Sequence, residues 1–80
     1  MPYTVILHIQ GEEAITGEVE RLPEPTDLLV TVSNPRRLDG KDLHYLTENV
    51  INVIWPMARI NFIEIMPTKD EEEIIGFVRE

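Results

Sequence analysis

The sequence predicts a mainly β domain, a small barrel of five to six strands, and three observations predict it. The apolar residues fall largely in short runs rich in isoleucine and valine, whose branched Cβ atoms suit a pleated surface. Within those runs apolar and polar residues alternate, which is the period of a strand with one covered face. Most prolines and glycines fall between the runs, where the chain has to turn. The rival reading is an α+β fold, an antiparallel sheet carrying one helix at about residues 41–54.

The first element spans Tyr3 to Gln10. Alternation sets Tyr3, Val5, Leu7 and Ile9 on one face and Thr4, Ile6, His8 and Gln10 on the other. Gln10-Gly11-Glu12-Glu13 is polar, contains a glycine and reads as a hairpin turn. The returning strand, Ala14 to Leu22, sets Ile15, Gly17 and Val19 against Thr16, Glu18 and Glu20. Gly17 in its interior predicts a bulge or sharp bend. Pro23-Glu24-Pro25 ends this strand, because proline cannot donate to a ladder. Thr26 and Asp27 suit the cap of a short turn.

Leu28 to Ser33 predicts a third strand, and the turn dipeptides Asn34-Pro35 and Asp39-Gly40 predict an exposed loop over 34–41. Residues 42–55 read two ways. Leu43, Leu46, Val50 and Ile54 are spaced three, four and four apart, as on a helix stripe. The β-branched Val50, Ile51, Val53 and Ile54 favour strands instead, with Thr47-Glu48-Asn49 turning between Asp42–Leu46 and Val50–Trp55. The two-strand reading is preferred. Pro56-Met57-Ala58-Arg59 then breaks the pattern before a closing strand, Ile60 to Met66, ended by Pro67.

Residues 1–67 are expected to form the barrel domain and 68–80 an acidic C-terminal extension, packed on the barrel or on a neighbouring chain. Thr68 with Glu71 suits a capping box, whereas Ile74-Ile75-Gly76-Phe77-Val78 favours a strand over 73–79.

Composition narrows the function. Eighty residues allow one small domain, burying roughly 60% of the surface its unfolded chain exposes, so the core is thin. Without cysteine there is no disulfide, no thiolate metal site and no thiol nucleophile. No run approaches the ~18 apolar residues of a membrane span, and Met1-Pro2-Tyr3 has no basic leader, so a soluble cytoplasmic protein is expected. Fifteen acids against seven bases leave a net charge of −8, which repels nucleic-acid phosphates.

Few residues carry candidate chemistry. Arg36, Arg37 and Lys41 cluster within six positions and, with Arg59, form the candidate anion or ligand site. The ordinary reading of the cluster is a solvated loop offsetting nearby acids. Trp55, with Tyr45 and Met57, offers a candidate aromatic surface, against the commoner reading of Trp55 as rim packing. Ser33 is the only serine, and neither His8 nor His44 lies in a nucleophile motif, so no catalytic residue is assigned. The glycines are isolated rather than gathered into a phosphate loop. No metal or cofactor is expected.

Two stretches together, the hairpin VILHIQ…AITGEV and the closing WPMARINFIEIM, resemble the start and end of SH3-like or Sm-like barrels. In such barrels a short 3₁₀ turn joins the last two strands. The order ITGEVERLP, TDLLVTVSN, LHYLT, ARINFIEIMP is similar to a family of short, functionally uncharacterised bacterial proteins, over roughly residues 3–67. That resemblance implies a fold and no activity. The sequence departs from RNA-binding Sm-like proteins, whose loops carry aromatic and basic residues where these are mostly acidic.

The expectation is therefore a non-enzymatic barrel acting through protein association, as a homo-oligomer. The closing strand has apolar residues on both faces, and its Ile63 and Ile65, with Ile74 and Phe77 of the C-terminal extension, are the candidate oligomer contacts. The alternative is a ligand- or nucleic-acid-binding module built on the basic loop 36–41.

Overall fold

The structure is a computed structural model, and it describes residues 2–67. Five strands form: β1 (Tyr3–Ile9), β2 (Ile15–Val19), β3 (Leu29–Arg37), β4 (Asn52–Pro56) and β5 (Ile60–Ile65). A 3₁₀ turn, Met57–Arg59, links the last two. All neighbours pair antiparallel in one sheet of order β4-β3-β2-β1-β5, curled into a half-barrel with β4 and β5 at its edges. The mainly β expectation holds.

Strand alternation builds the core. Val5, Leu7 and Ile9 of β1, Ile15 and Val19 of β2, and Val30 and Val32 of β3 all face the concave side and are buried. Burying such a side chain contributes about 1.5–3 kcal/mol each. The opposite face carries Thr4, Ile6 and His8, then Thr16 and Glu18, as the polar half of the alternation requires.

Gly17 packs directly against β3. A Cβ there would press into Val32 Cγ1 and lie 3.0 Å from the Ser33 carbonyl oxygen. The ladder shifts register at this point, between Thr16↔Arg36 and Glu18↔Ser33. The extra residue lies on β3, where Asn34 adopts φ 51°. The expected bulge is thus present, with its surplus residue on the partner strand.

Several boundaries differ from the expectation. Asn34-Pro35 does not begin a loop: β3 continues through it to Arg37, so residues 34–37 belong to the sheet. The asparagine takes the left-handed conformation within a bulge, which serves a bent strand as well as a turn. Asp42–Leu46 forms no strand, and the rival helix at 41–54 is also absent. A single turn, with the Leu46 N–H donating to the Leu43 carbonyl at 3.3 Å, brings Leu43 and Leu46 against the core. Asn49 at φ 71° then ends any helical course, and the expected strand Val50–Trp55 runs instead from Asn52 to Pro56, with Val50 and Ile51 before it. The expected extension over 68–80, with Ile74 and Phe77, lies outside the described residues.

Candidate functional site

The sequence singled out the bases first. Arg36 projects from the outer face of β3 beside β2, where the bulged register places it opposite Thr16. Its guanidinium grips Glu18 with both terminal nitrogens, Nη1 to Oε1 at 3.2 Å and Nη2 to Oε2 at 3.0 Å, and also donates to the Asn34 carbonyl at 2.8 Å. This bidentate geometry is the strong form of the pair. Arg37 lies between two carboxylates, 3.6 Å from Glu13 and 3.7 Å from Asp39. Lys41 closes the adjoining turn through its backbone: its N–H donates to Asp39 at 3.0 Å and its carbonyl accepts from Arg37 at 2.9 Å. An anion arriving here meets arginines whose charge is already answered by Glu13, Glu18 and Asp39.

Arg59 is placed elsewhere. At the end of the 3₁₀ turn its carbonyl accepts from Gln10 N–H at 2.7 Å, tying the β4–β5 corner to the first hairpin. Its side chain shares a shallow cleft with Tyr45, Trp55, Pro56, Ile9 and Glu12. Trp55 is half-buried, opposite Val30 on the concave face. Tyr45 is exposed and meets the His44 ring edge-on, with centroids 5.6 Å apart. Partial burial raises the Tyr45 phenol above its ordinary pKa, and the Glu12 carboxylate raises it further. The structure thus joins three of the predicted residues, Tyr45, Trp55 and Arg59, and separates them from Arg36 and Arg37. Ile9 and Glu12 come from the hairpin and had no signal in sequence. The cleft can pack a small planar or apolar group beside one charge of each sign.

The histidines are placed elsewhere. His8 Nε2 is 2.6 Å from Glu64 Oε1 across β1 and β5, and its ring stacks on Phe62 at 4.0 Å. Among the described residues no group of three or more His, Cys, Asp or Glu side chains is placed to hold a metal ion. No helix there is long and apolar enough to cross a membrane.

Comparison with protein-family models, curated proteins and solved structures finds no significant match. The geometry has to speak alone.

Its plainest feature is apolar. Leu29 is 58% exposed and Ile54 60%, at diagonal positions on the outer face of β3 and β4. Phe62 is 56% exposed and Ile65 54%, on opposite faces of β5. Of the two predicted contacts on β5, Ile63 packs against the core and Ile65 is exposed.

Proposed function

We propose that this chain is a non-enzymatic small barrel of the SH3-like or Sm-like kind that works by associating with further copies of itself. The strand order β4-β3-β2-β1-β5 and the 3₁₀ turn before β5 support that kind of barrel. One observation carries the association. Both edge strands are flanked by exposed large apolar side chains, and the eleven residues of β4 and β5 hold a single charged one, Glu64. Monomeric sheets guard their edges with charges, above all lysine, because unpaired N–H and C=O groups recruit other strands. Here charge is plentiful in the chain, seven bases and fifteen acids, yet nearly absent from the edges.

The rival reading, anion binding at 36–41, requires displacing the carboxylates that hold Arg36 and Arg37. Salt separates the two. A net charge of −8 makes copies repel one another, so added salt screens the repulsion and favours association. Phosphate binding weakens as salt rises. Size-exclusion chromatography with light scattering at about 50 and 500 mM salt is expected to give a multiple of 9.3 kDa, undiminished at the higher salt. A 9.3 kDa species at both, at tens of micromolar chain, overturns the proposal.

A further inference from the structure

Opposite charges in this molecule usually meet. Arg21 lies 3.1 Å from Asp27, Arg36 3.0 Å from Glu18 and Arg37 3.6 Å from Glu13. The remaining described arginine, Arg59, lines one cleft together with Glu12, yet no ion pair joins the two. Ile9, Tyr45, Trp55 and Pro56 complete the lining. We infer that this cleft binds a free α-amino acid with an apolar or aromatic side chain, its ammonium group towards Glu12 and its carboxylate towards Arg59. The inference does not rest on the association reading.

Both charges are carried on backbone that is already fixed. Gln10 N–H donates to the Arg59 carbonyl at 2.7 Å, and Glu12 N–H to the Ile9 carbonyl at 3.1 Å. The first hairpin and the β4–β5 corner therefore hold the two residues in place through their main chains. Among the described residues neither side chain makes a hydrogen bond that a ligand would have to break. The rest of the lining is apolar or aromatic. Ile9 is sealed, Trp55 is half-buried, and Tyr45 stands exposed at the rim. Burial and then Glu12 raise the Tyr45 phenol, so at neutral pH it is an uncharged hydroxyl able to donate to a carboxylate.

The pair of charges selects the ligand. A simple cation meets Arg59, and a simple anion meets Glu12 in a chain of net charge −8. A zwitterion answers both. The guanidinium can meet its carboxylate with two parallel N–H donors, and the ring of an aromatic side chain packs offset or edge-on against Trp55 and Tyr45. Size agrees. The cleft's volume is about 190 Å³, below the roughly 300–1,000 Å³ of sites for drug-sized ligands. That is room for one ring or one branched side chain and not for a nucleotide. The larger hollow beside β3 and β4, about 480 Å³, offers no such arrangement, because its Arg21 is already bound to Asp27.

Trp55 is the only tryptophan, so its emission reports on the cleft directly. The full-length protein is titrated with L-phenylalanine, with 3-phenylpropanoate, which lacks the ammonium, and with 2-phenylethylamine, which lacks the carboxylate. L-Phenylalanine is expected to shift the emission saturably with a Kd of about 1 mM or tighter, the range open to so small a ligand. Each analogue should bind at least about tenfold more weakly. Arg59→Gln is expected to weaken L-phenylalanine at least about tenfold and 2-phenylethylamine not at all. Glu12→Gln should weaken L-phenylalanine equally and leave 3-phenylpropanoate no weaker. Both substituted side chains are exposed, and circular dichroism checks that the variants are folded. Equal binding of all three probes, or no saturable change at about ten times that concentration of L-phenylalanine, overturns the proposal. Binding of 2-phenylethylamine alone, as would follow if an acid from residues 68–80 already answered Arg59, overturns it too. The mass in solution decides association separately, so either reading can fail without the other.

Discussion

The three central strands and the two edge strands are built from the same residue types and end in different environments. Among the described residues, seven of the eight buried core side chains come from β1, β2 and β3, and the eighth, Leu43, from the segment that follows β3. None comes from β4 or β5. Valine and isoleucine at Val5, Ile15 and Val32 are sealed, whereas isoleucine at Ile54 and Ile65 is more than half exposed. Composition cannot separate the two groups, since INFIEI is at least as apolar as ITGEV. The difference is neighbours: a central strand is flanked on both sides and an edge strand on one. The centre therefore supplies stability, and the edges leave apolar side chains exposed.

Truncation should break that division most sharply. Leu7 is fully buried at the middle of β1, and Leu7→Ala is expected to cost about 2–5 kcal/mol in urea unfolding, a large part of a small domain's stability. The same measurement on Ile54→Ala should move stability by no more than about 0.5 kcal/mol, as exposed positions do. Comparable losses at the two sites would mean that the edge is packed within the subunit.

A smaller effect probes how tightly the centre is closed. Gly17→Ala places a Cβ against Val32 and 3.0 Å from the Ser33 carbonyl oxygen. Val32 can shift, but the backbone oxygen moves only if β2 and β3 separate. A loss of about 1–3 kcal/mol is expected, the usual range for overpacking. A neutral or stabilising substitution would show that the bulge opposite Gly17 yields.

The parts legible in sequence were those in which one short stretch carries its own signal. Tyr3–Ile9 and Ile15–Val19 alternate cleanly because one face of each is sealed, and the proline-containing corner before Ile60 announces itself. Residues 42–55 read two ways because Leu43, Leu46, Val50 and Ile54 keep helical spacing without sharing a face, and the preferred strand at Asp42–Leu46 is a turn instead. The first two pack through one turn, and Ile54 points outward from β4. Asn34-Pro35 carries two turn-forming residues, and the same left-handed asparagine serves a bulge inside β3. The Arg36–Glu18 pair spans a shifted register that no local pattern encodes. In the aromatic cleft, Tyr45 and Trp55 could be guessed from residue type. Glu12 could not, because its place beside them depends on how the hairpin meets the β4–β5 corner.

The smallest expected effect lies in the linker between β2 and β3, and it tests whether the centre holds its own loops as firmly as its strands. Asp27 Oδ2 accepts the Glu24 backbone N–H at 2.9 Å and an Arg21 Nη1–H at 3.1 Å, while the Asp27 N–H returns to the Glu24 carbonyl at 2.9 Å. The backbone hydrogen bond first, and Arg21 second, hold the Asp27 carboxyl below its ordinary pKa. A carboxylate favoured in the folded state contributes stability that is fully present above the unfolded pKa of about 3.9. That contribution fades as pH falls through the lower, folded value. Wild type should therefore exceed Asp27→Asn by a constant small margin from neutral pH down to about pH 5, and the margin should shrink below about pH 4. The difference between the two proteins cancels the titration of the other acids to first order. A margin that persists unchanged to the lowest pH at which both remain folded would mean that the linker is held by its backbone turn alone. In that case Arg21 and the charge on Asp27 would contribute nothing to the folded state.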